Sequence, residues 1–167
     1  MDFNDLVTQL NAGAILPEGI VIITLLTVLV GDLILGRSAA RNLSYIAVGG
    51  LLVSIAALVL QWDNPNPVAF IGAYSSDPLS VVFRGIIALS AAVTILMSIS
   101  YVEQTGTALA EFVTILLTAT LGGMLLSGAT ELVTIFVSLE TLSISSYLMT
   151  GYMKRDPRSN EAALKYL

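Results

Sequence analysis

Residues 132–153 read LVTIFVSLETLSISSYLMTGYM, an apolar stretch in which Glu140 is the only charged residue. A helix rises about 1.5 Å per residue, so a stretch of this length can cross the roughly 30 Å hydrocarbon layer of a bilayer. Glu140 is the ninth residue of the stretch, which predicts a carboxylate near the middle of the membrane. Because such a group costs at least about 2.5 kcal/mol there, it usually marks an ion pathway or a proton relay.

The composition extends the membrane prediction to the whole chain. The 167 residues are 56% hydrophobic and 11% charged, with a mean hydropathy of +0.87, whereas soluble domains carry about 25% charged residues. Three further stretches lack any charged residue and are long enough to span a bilayer, namely residues 42–62, 85–102 and 112–130. The sequence therefore predicts an all-α fold, a polytopic membrane helix bundle.

Five spans and the start of a sixth helix can be placed along the chain. We expect the spans at residues 15–35, 43–60, 79–101, 112–126 and 132–152. A polar, Pro-rich loop over residues 61–77 separates the second span from the third. Residues 160–167 open a sixth helix that stops far short of the about 20 residues a crossing needs, so we expect the chain to be the N-terminal part of a larger protein.

Basic residues predict the orientation in the membrane. If the N-terminus faces outward, all five basic residues of the connections lie on the inner side: Arg37, Arg41, Lys154, Arg155 and Arg158. The outward segments hold no Lys or Arg, and cytoplasmic loops are the ones enriched in these residues. We therefore expect the N-terminus in the periplasm, a lumen or the intermembrane space.

Glu140 shares one face of its predicted helix with other small or polar residues. Ser143, Tyr147 and Gly151 follow it at three, seven and eleven positions, which places them on one side at 3.6 residues per turn. Such a stripe should face protein or water rather than lipid. It favours a role in proton or ion movement, with a carboxylate that only locks two helices together as the alternative.

Lys165 is a second candidate, although its depth argues against direct contact with Glu140. Glu140 lies about 21 Å from the inner end of its helix and Lys165 about 7 Å into the next one, which leaves a gap of about 13 Å. Glu161 precedes Lys165 by four residues, the favourable order for an ion pair on a helix. Lys165 is therefore either functional or a snorkelling lysine near a helix end.

Arg84 lies about five residues inside the outer end of the third span. We expect it to snorkel to the surface or to pair locally with Asp77 or Glu131, which lie at similar depth. A four-residue repeat of small residues in the fourth span, Ala119, Gly123 and Ser127, predicts close helix packing on that face.

Several classes of chemistry are excluded for this polypeptide itself. The chain has no Cys and no His, so it lacks the ligands of iron–sulfur clusters and the usual ligands of haem and zinc. The same absence removes a conventional nucleophile–base pair. No basic patch suggests nucleic acid as a partner.

Residues 131–167, ELVTIFVSLETLSISSYLMTGYMKRDPRSNEAALKYL, resemble a known family. They are similar to the antiporter-like membrane subunit N, or subunit 2, of respiratory complex I and its photosynthetic relative. DPLSVVFRG at residues 77–85 and AEFVTILLTATLGGMLLSG at residues 110–128 fit the same family. The residues MKRDPRSNEAALKYL at 153–167 resemble its chloroplast and cyanobacterial branch.

The resemblance implies an organisation and a set of site residues. Residues 1–14 would be an outward segment, residues 15–110 the first three transmembrane helices, and residues 111–167 the start of an antiporter-like repeat. Glu140 would match the family's fifth-helix glutamate, which pairs with a lysine on a later helix, and Lys165 its sixth-helix lysine. Supporting polar residues would be Ser143, Tyr147 and Arg84.

The resemblance also implies a function and partners. We expect a proton-translocating membrane subunit of an NAD(P)H- or ferredoxin-fed quinone oxidoreductase, in a thylakoid or bacterial inner membrane. The chain would carry no cofactor, metal or redox centre of its own, and the quinone and iron–sulfur clusters would belong to partner subunits, both membrane and peripheral. A cation/proton antiporter subunit of the same superfamily and a structural membrane scaffold are the alternatives.

Overall fold

The structure is a computed structural model that describes residues 10–63, 68–105, 108–153 and 156–166. Its long helices are α1 (Leu16–Leu35), α2 (Ala40–Leu60), α3 (Pro78–Thr105), α4 (Leu109–Gly128) and α5 (Leu132–Thr150), followed by the short helix α6 (Pro157–Tyr166). Short 3₁₀ turns at Ala12–Ile15 and Arg37–Ala39 precede α1 and α2. Lys154 and Arg155, on which the predicted orientation partly rests, lie outside the described residues.

Five of these helices are long and apolar enough to cross a membrane, as predicted. The predicted bounds differ from the observed ones by a few residues at the helix ends. Pro17 and Pro78 lie in the first turns of α1 and α3, where a missing backbone N–H costs no helical hydrogen bond. The chain is an integral membrane helix bundle within the part that the structure describes.

Helices α1 to α4 enclose one apolar core, and α5 packs on its edge against α4. The core residues from the four helices include Val21, Val28, Leu51, Ile95 and Leu117, none of which is exposed to solvent. Helices that follow one another in the chain pack side by side, so the described segments around residues 12–18, 61–63, 68–84 and 128–132 lie at one end of the bundle. We call this the outer end, following the predicted orientation.

A small hairpin at the outer end departs from the predicted irregular loop. Strand β1 (Val68–Ala69) pairs antiparallel with β2 (Tyr74–Ser75), with a 3₁₀ turn at Phe70–Gly72 between them. Tyr74 also forms an isolated antiparallel bridge with Ala129, in the connection between α4 and α5. Strands of two residues cannot form a stable sheet alone, so the hairpin depends on the helices beneath it.

The predicted small-residue stripe lies on a packed face of α4, with Gly123 buried against α3, but a closer approach occurs at its neighbour. A Cβ atom at Gly123 would meet only the side chain of Ile87, at 3.4 Å. The close backbone approach occurs one residue earlier, where a Cβ on Gly122 would lie 2.8 Å from the backbone nitrogen of Leu142 in α5. The interface between α4 and α5 therefore passes through Gly122.

The inner end of α5 is held by two aromatic contacts. The Tyr152 hydroxyl donates a hydrogen bond to the carbonyl of Ala108, just before α4 begins, and its ring meets the edge of Phe112 with centroids 5.5 Å apart. Tyr147 makes a similar edge contact with Tyr166 of α6, at 5.2 Å. The Tyr152 contacts tie the end of α5 to the start of α4, and the Tyr147 contact holds α6 against the inner half of α5.

Candidate functional site

Glu140 lies at the middle of α5 on a face that no described residue covers. Its side chain is exposed, and it has no hydrogen-bond or ion-pair partner within the described parts of the chain. The buried residues of α5 are Ser138 and Ser145, which are seven positions apart and so share one face toward α4. Since residues on a helix advance by about 100° each, Glu140 points about 200° away from Ser138, opposite to α4.

The polar stripe that begins at Glu140 turns toward α6 at its inner end. Ser143 and Tyr147 are half-buried, and the ring of Tyr147 contacts Tyr166. Gly151 is close to α6 as well, since a Cβ there would lie 2.9 Å from Cβ of Ala163. The inner part of the stripe therefore faces protein, as predicted.

Lys165 pairs with its own helix. Its Nζ lies 2.6 Å from Oε1 of Glu161, four residues earlier, and both side chains are more than half exposed. An exposed pair of this kind contributes about 0.3–0.5 kcal/mol. The structure does not bring Lys165 and Glu140 together, in agreement with the predicted separation in depth.

The prediction for Arg84 is wrong. The side chain neither snorkels to the surface nor pairs with Asp77 or Glu131. Its side chain is 0% exposed, and its Nη1 lies 3.0 Å from Oε1 of Glu18, which is 1% exposed. Both residues lie near the outer ends of their helices, α3 and α1. Equal depth was the available signal for this pair, but 66 residues separate the partners in the chain.

Further hydrogen bonds complete a polar cluster around the guanidinium. Arg84 Nη1 donates to the Tyr74 hydroxyl at 3.1 Å and to the carbonyl of Ala14 at 3.3 Å, and Nη2 donates to Ser76 Oγ. The Tyr74 hydroxyl donates in turn to Glu18 at 2.7 Å. Burial and the nearby Glu18 carboxylate raise the pKa of the Tyr74 phenol, so this hydroxyl stays protonated.

The cluster joins α1, α3, the hairpin and the end of α2. Ser76 Oγ donates to the side-chain oxygen of Gln61, whose amide nitrogen donates to the carbonyl of Gly13 at 2.6 Å. Two buried oxygens of the cluster, Glu18 Oε2 and Ser80 Oγ, have no hydrogen-bond partner among the described residues. Patterns in the sequence did not reveal Glu18, Tyr74 or Ser76. Glu18 is 56 and 66 residues from its partners, and Tyr74 and Ser76 meet Arg84 only because the chain between them leaves the hairpin and enters α3.

Hydrogen bonds also connect the hairpin to the start of α5. The backbone nitrogen of Thr130 donates to the carbonyl of Ala73 at 3.2 Å, and its hydroxyl donates to the carbonyl of Gly72 at 2.5 Å. No side chain caps the N-terminus of α5 at Glu131. The outer end of the helix that carries Glu140 is thus held by the hairpin rather than by its own cap.

Two protein families match the chain, one over its N-terminal part and one over its C-terminal part. Residues 4–100, more than half of the chain, match the family described as NAD(P)H-quinone oxidoreductase subunit 2 N-terminal. Residues 129–167, which include Glu140 and Lys165, match the family described as NADH:quinone oxidoreductase/Mrp antiporter, TM.

Curated relatives are similar to the chain along its whole length. Proteins named NAD(P)H-quinone oxidoreductase subunit 2 from Nostoc punctiforme and Rippkaea orientalis are each 73% identical to it, and one from Synechococcus elongatus is 72% identical. Each match covers 100% of this chain but only 31% or 32% of the relative. The chain thus spans about a third of the length of these relatives, and with its five apolar helices and both matched regions it belongs to the NAD(P)H-quinone oxidoreductase subunit 2 family.

Proposed function

We propose that the chain is the N-terminal part of a proton-translocating membrane subunit in a complex I-like quinone oxidoreductase. The observation that carries this proposal is a carboxylate, Glu140, placed at mid-span on a helix face that no described residue covers. A carboxylate in the apolar layer needs a partner, and the relatives are about three times as long as this chain. A basic residue on a later helix is the partner that this face would accept.

Charge coupling at Glu140 would provide the working step. Two opposite charges interact far more strongly in a low-dielectric interior than in water, so forming or breaking a pair there changes the charge state of the partner. Protons would then move along water and polar groups on the stripe, with Ser143 and Tyr147 in support. Lys165 would act near the inner surface, where its pairing with Glu161 leaves it accessible.

Other parts of the complex would supply the redox chemistry. The chain has no Cys or His, so it offers no ligands for an iron–sulfur cluster, and the quinone site would lie on partner subunits. Cyanobacterial relatives support a thylakoid membrane, with a bacterial inner membrane as the alternative. The positions of Arg41 and Arg158 at the inner end support an outward N-terminus.

A cation/proton antiporter subunit is the second candidate function. It is favoured by the match of residues 129–167 to a family that includes Mrp antiporters. The two functions differ in their need for a redox partner. Quinone reduction by the purified assembly supports the oxidoreductase, whereas sodium–proton exchange in vesicles without any quinone reduction supports the antiporter.

Replacing Glu140 by Gln tests the proposal, because it keeps the shape of the side chain and removes its charge. We expect the Glu140→Gln complex to assemble and to reduce quinone, with fewer protons moved per electron. Proton uptake into proteoliposomes, measured beside quinone reduction, gives this ratio. Glu131→Gln is the matched control, since Glu131 precedes the same helix, is exposed and forms no side-chain cap.

Two results would contradict the proposed role of Glu140. An unchanged proton-to-electron ratio in Glu140→Gln would show that the carboxylate takes no part in pumping. A lower yield of assembled complex, with a normal proton-to-electron ratio in the complex that does assemble, would favour the structural scaffold. In that case Glu140 only holds two helices together.

A further inference from the structure

A close backbone approach between α4 and α5 lies at the level of Glu140 along α5. A Cβ on Gly122 would lie 2.8 Å from the nitrogen of Leu142, 3.1 Å from the carbonyl oxygen of Ser138 and 3.2 Å from Cα of Leu142. These are backbone atoms of α5, which cannot move aside as a flexible side chain would. The two helices can therefore be this close only because residue 122 has no side chain.

The approach brackets Glu140 along the helix. Ser138 and Leu142 are two residues before and two residues after it, and both press against α4. Since each residue turns the helix by about 100°, Glu140 lies about 200° from either contact and points away from α4. The contact at Gly122 thus determines both how far α5 stands from the bundle and the direction of its carboxylate.

This part of α5 packs against α4 on one side only. Ser138 and Ser145 are its buried residues, and Leu132, Val133, Phe136 and Val137 in its outer half are all exposed. The hairpin contacts act at Thr130 and the aromatic contacts act at Tyr147 and Tyr152, each more than a full helical turn from Glu140. Among the hairpin, glycine and aromatic contacts, the glycine contact is the one closest to the carboxylate.

We infer that Gly122 is a positioning residue for Glu140, whose missing side chain sets the distance and direction at which the carboxylate leaves the bundle. The inference rests on the proposed function of Glu140. A methyl group at residue 122 displaces α5 outward and with it the carboxylate, and misplacing a reacting group by about 1 Å can cost a large part of its activity.

The neighbouring glycine provides a matched control. Gly123 is also buried in α4, but a Cβ there meets the Ile87 side chain at 3.4 and 3.5 Å, an ordinary van der Waals distance. Gly122→Ala and Gly123→Ala gain the same helix propensity in the same turn. They differ in the helix that the new methyl group meets, α5 or α3.

The test measures the proton-to-electron ratio of the full complex carrying each variant. We expect the Gly122→Ala complex to reduce quinone with a proton-to-electron ratio as low as that of Glu140→Gln. The Gly123→Ala complex should keep the parental ratio. In a Glu140→Gln background, Gly122→Ala should cause no further loss, because both act through the same carboxylate. A general packing defect would instead add to the loss.

A second variant moves the carboxylate without altering the contact. Exchanging Leu139→Glu and Glu140→Leu turns the charge by about 100° around α5 at nearly the same depth, and Leu139 is already 47% exposed. We expect this variant to have a lower proton-to-electron ratio as well. The inference therefore stays testable even if the Gly122→Ala protein does not accumulate.

The possible failures are distinguishable. A normal ratio in Glu140→Gln overturns the proposed function and the inference with it. An impaired Glu140→Gln beside a normal Gly122→Ala, or beside a normal exchange variant, overturns the inference alone. An equal loss in Gly122→Ala and Gly123→Ala also overturns it.

Discussion

Arg84 and Glu18 form an ion pair in which neither side chain has appreciable contact with solvent. Removing two charges from water is costly, and their attraction offsets this cost only when the remaining hydrogen-bonding groups are satisfied. Tyr74, Ser76 and the carbonyl of Ala14 supply these bonds for Arg84. On the other side of the pair, Glu18 Oε2 has no hydrogen-bond partner among the described residues. The pair as a whole therefore offsets its desolvation cost only in part, whereas either charge alone would be strongly destabilising.

Arg84→Met should therefore destabilise the protein by about 3–5 kcal/mol, because it leaves the Glu18 carboxylate buried without a countercharge. The double variant Glu18→Gln with Arg84→Met should recover much of this loss. Thermal unfolding of the purified protein in detergent measures both. If the double variant is as unstable as the single one, the buried charge is not the cause of the loss.

Helix α5 is attached to the bundle at three places: the hairpin near Thr130, the Gly122 contact and the aromatic contacts at its inner end. Between these points one side of α5 packs along α4 and the other side is exposed. Because the buried surface of α5 is confined to one side, each of the three attachments should affect the helix measurably.

The attachment of α5 at Tyr152 makes the stability of the fold depend on pH. Burial and the nearby Glu111 carboxylate raise the pKa of Tyr152 from 10.0 to about 12, although its hydrogen bond to Ala108 acts in the opposite direction. Between these values the unfolded chain releases the phenol proton while the folded chain retains it, so the free energy of unfolding falls as the pH rises. Below pH 10.0 the phenol is protonated in both states and the contribution is fully present.

Tyr152→Phe should make stability less sensitive to pH across this alkaline range, while lowering it by about 1 kcal/mol at neutral pH through the lost hydrogen bond. Unfolding temperatures measured from neutral to alkaline pH would show both effects. Tyr45→Phe removes a phenol from an exposed position on α2 and serves as the control. An identical alkaline loss in Tyr152→Phe and the parent would refute the role of this phenol.

The distribution of charge along the chain predicts its orientation. At the outer end the one basic residue, Arg84, is neutralised by Glu18, while the basic residues of the connections between spans all belong to the other end. Because positive residues are retained on the cytoplasmic side, the N-terminus should lie outside.

Single cysteines can test this orientation, since the chain has none of its own. Asp63→Cys follows α2 at the outer end, and Ser38→Cys precedes α2 at the inner end; both native side chains are exposed. In the full-length protein without other cysteines, a membrane-impermeant maleimide should label position 63 from outside. Position 38 should react only after permeabilisation, and the reverse pattern would invert the topology.

The sequence by itself determined the number of spans, their approximate bounds, the position of Glu140 midway along its helix and the family. These follow from apolar runs whose length is set by the thickness of the bilayer, and from a local motif around Glu140 and Lys165. The tertiary structure alone decided the Arg84–Glu18 pair, the hairpin that holds α5 and the choice of Gly122 over Gly123. The helices are apolar on every side, so periodicity does not reveal which face meets a neighbour, and contacts between residues as far apart as 18 and 84 leave no local pattern.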